Sequence, residues 1–78
     1  MPRFYFHLFE EEEFRDLEGR ELADLAAARE HAVENARVMV CESVKKGHLN
    51  LDHYIVIEDE QGRHALTVTF RDAFTIEG

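Results

Sequence analysis

Seventy-eight residues suffice for one small domain, and 45% apolar with 33% charged content is a folded rather than a disordered balance. A net charge of −8 repels phosphate backbones and speaks against direct nucleic-acid binding, and no apolar run approaches the roughly 20 residues that a membrane span needs. The single cysteine, Cys41, cannot close an internal disulfide, so a reducing, cytoplasmic setting is expected.

Met1-Pro2-Arg3 leads directly into an aromatic run, with no apolar block and small-residue cleavage site of the secretory kind. Arg3 to Phe9 predicts the first strand, since aromatic residues suit a pleated surface. Alternation puts Phe4, Phe6 and Leu8 on one face and Tyr5, His7 and Phe9 on the other. Glu10 to Glu13 is a self-repelling run, read as a solvated turn. Phe14 to Asp16 can return as a short second strand, and Asp16 to Arg20 carries turn chemistry around Gly19.

Asp24 to Lys46 predicts the one long helix. Asp24 is the N-cap candidate, and Leu25, Ala28, Ala32, Ala36, Val40 and Val44 recur at steps of three and four. The alanines allow close approach to a sheet. Gly47 is the expected stop.

Tyr54 to Glu58 and His64 to Phe70 predict a second hairpin around Asp59-Glu60-Gln61-Gly62. The expected register sets Glu58 against His64, Val56 against Leu66 and Tyr54 against Val68, with Ile55 and Ile57 on the opposite face. Phe74 and Ile76 are available to anchor the tail. The expected fold is α+β, in the order β-β-α-β-β. A mainly antiparallel four-stranded sheet is covered on one face by a single helix, its two hairpins side by side.

One helix covers only one sheet face, yet both faces carry bulky apolar residues. Tyr5, His7 and Phe9, with Ile55 and Ile57, are therefore the candidate interface. An apolar patch of this kind marks an interaction site, and the expected partner is a second copy of the chain or another protein. The competing possibility is that Phe74 and Ile76 fold over that face.

No constellation of catalytic type stands out. His48, Asp52 and His53 do not match the spacing of a zinc hydrolase ligand pair, and no metal site is expected. The glycines are isolated, so no phosphate-cradling loop and no cofactor are expected either. His31 reads as solvated and Cys41 as an inert boundary residue. His7 could act as a general base if Asp16 or Glu18 approached it. Met1-Pro2 before a strand is superficially similar to the start of small bacterial tautomerases, which use an amino-terminal proline as a base. The acidic hairpin and the lack of a placed arginine depart from that pattern. An enzyme using Pro2 or His7 is thus one alternative, and an antitoxin-like or transcription-linked module is another.

The ordered set Pro2-Arg3-Phe4-Tyr5-Phe6-His7-Leu8, Asp16-Leu17-Glu18-Gly19-Arg20-Glu21-Leu22, Asp24-Leu25-Ala26-Ala27-Ala28-Arg29, Asp59-Glu60-Gln61-Gly62-Arg63 and Phe70-Arg71-Asp72-Ala73 resembles a family of short bacterial proteins catalogued as a domain of unknown function. The resemblance spans nearly the whole chain. It implies a stand-alone cytoplasmic domain and brings no activity, substrate or site residue with it.

Overall fold

A computed structural model describes residues 1–75 and 77. Three strands, β1 (Arg3–Phe9), β2 (Glu13–Phe14) and β3 (Arg20–Glu21), precede helix α1 (Leu25–Lys45). Strands β4 (Tyr54–Glu58) and β5 (His64–Thr69) follow, and a 3-10 turn, Phe70–Ala73, closes the ordered core. The sheet order is β2-β1-β4-β5, with β3 also paired to β1 and every pairing antiparallel. The two hairpins lie side by side, and the expected α+β arrangement holds. The addition is β3, whose two residues pair Arg3 with Glu21 and Phe4 with Arg20.

The helix begins and ends where its local chemistry requires. Asp24 stays extended, and its carboxylate accepts from the Ala27 amide at 2.9 Å. At the other end Gly47 takes a φ of +87°, while the His48 amide bonds to the Ser43 carbonyl and the Gly47 amide to Val44. That pair of bonds is a Schellman cap, which needs a left-handed residue at this position.

Packing follows from the alanines. Ala28, Ala32 and Ala36 are fully buried, and their small side chains let the helix axis come down onto Ile55, Ile57, Val68 and Phe70. Phe4, with half-buried Phe6 and Leu8, completes this layer. Phe74 also packs against it, and Arg37 Nε bonds to the Ala73 carbonyl, so the tail is held on the helix side as far as Phe74. Ile76 lies outside the described residues.

The second hairpin departs from expectation by one residue. Glu58 pairs with His64 as predicted, but a bulge follows, and Ile57 then pairs with Leu66 and Ile55 with Val68. A one-residue slip moves every later side chain to the opposite face. Ile55 and Ile57 therefore lie beneath the helix, 2% and 0% exposed, and are not part of the open face. The β1 pairing agrees, since Phe6 stands opposite Ile57 and Leu8 opposite Ile55.

The outer side of β1 is closed in an unusual way. Strands β2 and β3 cover its two ends. Between them the Asp16 carboxylate takes the place of a strand: one oxygen accepts from the Phe6 amide at 3.1 Å, the other from the amides of Glu18 and Gly19, each at 3.1 Å. Gly19 has a φ of +71° and sits so close that a Cβ there would lie 2.9 Å from the Tyr5 ring. Glycine is required at that position on both counts.

Candidate functional site

The sheet face away from the helix carries Tyr5, His7 and Phe9 from β1, opposite Glu58, Val56 and Tyr54 of β4. Thr67 and Thr69 of β5 continue the rows, opposite Val56 and Tyr54. This face has two dissimilar ends.

The first end is aromatic. Phe9 and Tyr54 stand directly opposite in register, with ring centroids 5.0 Å apart and planes within 6°. Stacked pairs of this kind contribute about 0.5–1.5 kcal/mol beyond their area burial. Tyr54 remains 37% exposed, and the glutamates Glu10 to Glu13 form an exposed rim beside it.

The second end is polar and closed in on itself. His7 is only 4% exposed. Its Nδ1 accepts from the Asp16 amide at 3.0 Å, so that nitrogen carries no proton. The proton resides on Nε2, which donates to Glu58 Oε1. Arg15 Nη2 lies 3.3 Å from the same carboxylate oxygen and Nη1 3.5 Å from Glu13. Tyr5, Leu17 and Gly62 edge the shallow hollow above this cluster, and Leu17 is 88% exposed.

Both ring nitrogens of His7 are thus engaged by groups of the chain itself, which leaves neither directed at a substrate. The partner carboxylate is Glu58, where Asp16 or Glu18 was the sequence expectation; Asp16 contributes its backbone amide instead. Glu58 and Arg15 escaped sequence reasoning because the slipped register put Glu58 on the wrong face. Asp16 itself is held below its ordinary carboxylate value of 3.8: burial pushes it up, but the amides of Gly19, Phe6 and Glu18 outweigh burial.

The remaining histidines disperse. His31 is half-buried, against the expectation of a solvated residue. Its ring meets Phe6 edge-on at 4.8 Å, and Asn35 Nδ2 lies 3.3 Å from its Nε2. Burial, followed by the Arg20 charge, lowers its pKa below the ordinary 6.5. His53 faces Glu10 at 3.4 Å, whereas Asp52 faces Arg71 at 3.3 Å. Among the described residues no group of three histidine, cysteine or acidic side chains is placed to hold a metal ion. No helix among them is long and apolar enough to cross a membrane.

Residues 3–71 match the family described as Domain of unknown function (DUF6894). No curated protein and no solved structure matches the chain.

Proposed function

The chain belongs to the DUF6894 family, and from that premise we propose that it is a protein-protein interaction module that self-associates, with the open sheet face as its contact surface. The observation that carries this reading is the stacked Phe9–Tyr54 pair, set in register on a face with no covering helix. Tyrosine presents a large, stiff contact area at low entropic cost, and aromatic residues are enriched at interface centres. Tyr5 and His7 of the candidate interface sit at the other end, where His7 is braced by Glu58 and Asp16. That bracing pre-organises the strand rather than serving chemistry. A cytoplasmic location agrees with the single cysteine, exposed and free.

Sedimentation equilibrium tests the reading. The expected species is a dimer or larger at high protein concentration. Tyr54→Glu, which adds a carboxylate beside the acidic rim, is expected to weaken association at least about tenfold, since an unpaired charge in an interface costs more than 1.4 kcal/mol. Because both copies are acidic, association should tighten with added salt. A strict monomer at all concentrations overturns the reading.

A further inference from the structure

Strand β5 lies at the end of the sheet, and among the described residues no strand pairs with its outer side. The ladder shows which backbone groups face outward. The Phe70 amide bonds to the His53 carbonyl at 2.9 Å. Antiparallel ladders alternate, so Leu66 and Val68 also direct their amides and carbonyls to β4, and those of Thr67 and Thr69 point away from the sheet.

Such an edge is a template for another strand, and proteins commonly blunt it with lysine, proline or a bulge. From His64 to Thr69 there is no proline and no charged residue, in a chain of 17 acidic and 9 basic residues. The only irregularity of the β4–β5 ladder falls at its start, between Ile57 and Glu58, and Leu66 to Thr69 is regular strand. The β-branched run Thr67-Val68-Thr69 favours extended backbone. The opposite edge of the sheet offers nothing comparable, because β2, Asp16 and β3 occupy it.

We propose that β5 pairs antiparallel with the β5 of a second copy, about a two-fold axis at Thr67. The strand is complementary to itself in this arrangement. Thr67 meets its own counterpart and exchanges two backbone hydrogen bonds with it. Leu66 of each copy comes beside Val68 of the other on the helix side, which buries the half-exposed flank of Leu66. Ala65 comes opposite Thr69. Charge sets the place of contact: two molecules of net charge −8 repel, and they meet with least repulsion along a line that carries no carboxylate. At the end of that line Arg71 is offset by Asp52 at 3.3 Å. This proposal shares with the preceding one only the premise of self-association. It uses main-chain groups of an edge rather than side chains of a face.

Residue-resolved amide exchange at low and high protein concentration, alongside solution mass, separates the two. Where about 90% of chains are paired, the Thr67 and Thr69 amides are expected to exchange roughly tenfold more slowly than in the dilute monomer. Thr67→Pro, which removes an outward amide without breaking the β4 ladder, is expected to stay folded by circular dichroism and to lose the edge-paired step in solution mass, leaving only association through the open face. A dimer whose Thr67 and Thr69 amides exchange as fast as in the monomer overturns edge pairing, even if Thr67→Pro fails to fold. So does a folded Thr67→Pro chain that associates as strongly as the parent, an outcome that leaves the open-face contact standing. A chain that is monomeric throughout removes both.

Discussion

The two faces of this sheet are built by different physics. Beneath the helix, order comes from volume. Ala28, Ala32 and Ala36 bring the helix close, and Ile55, Ile57, Val68 and Phe70 fill what remains. On the open face, order comes from hydrogen bonding and stacking: His7 between Asp16 and Glu58, and Phe9 against Tyr54. The contrast teaches that burial and coverage are separate. His7 is as buried as much of the core although no helix lies over it, because the Arg15–Gly19 segment folds back across β1.

The largest effect should come from neighbours that point opposite ways. Ile57→Ala empties a fully buried position and is expected to cost about 3–4 kcal/mol in urea unfolding. Val56→Ala, one residue away on the open face, should cost only about 1 kcal/mol. Comparable losses at both positions would erase the distinction between the faces. Asp16→Ala comes next, at about 1–3 kcal/mol, because the amides of Phe6, Glu18 and Gly19 lose their acceptor together. A loss below that range would mean that solvent replaces the carboxylate easily.

Acidification should act more mildly, and in two stages. The folded His31 pKa lies below its ordinary 6.5, so the unfolded chain takes up the proton first. Its contribution is complete above 6.5 and declines as pH falls toward the folded value. Asp16 follows: its contribution is complete above 3.8 and is lost as pH falls through its lower folded value. Urea midpoints against pH should show both steps, and His31→Gln should flatten only the upper one. Last, Tyr54→Glu should cost about 0.5–1.5 kcal/mol, the stacking with Phe9 that it removes, besides weakening association.

Much of the covered face was legible in the sequence. The three-and-four spacing of the alanines, the Asp24 cap and the Gly47 stop are local signals, and each reports its own element. The facing of β1 was legible too, because Phe4, Phe6 and Leu8 are uniformly apolar while His7 is not. The facing of β4 was not. Tyr54 and Val56 are nearly as apolar as Ile55 and Ile57, so alternation could not decide between them. The bulge between Ile57 and Glu58 has no proline or glycine within the strand to announce it. Glu58 was lost to the open face for that reason, and Arg15 with it. Strand β3 was missed because two residues are held by pairing with β1 rather than by any propensity of their own. His31 was misjudged because its polar helical neighbours are visible in sequence, whereas Phe6, which covers it, is distant.

Asp16 has a consequence beyond the strength of its three hydrogen bonds. By ending the lateral growth of the sheet on the β1 side, it gives the sheet a direction. Among the described residues, the long strand with an unpaired outer side is β5. An assembly that joins two copies there has both of its outer margins already sealed by a side chain and two short strands. Growth through the edge alone stops at two copies, where an edge open on both sides would carry on into a fibril.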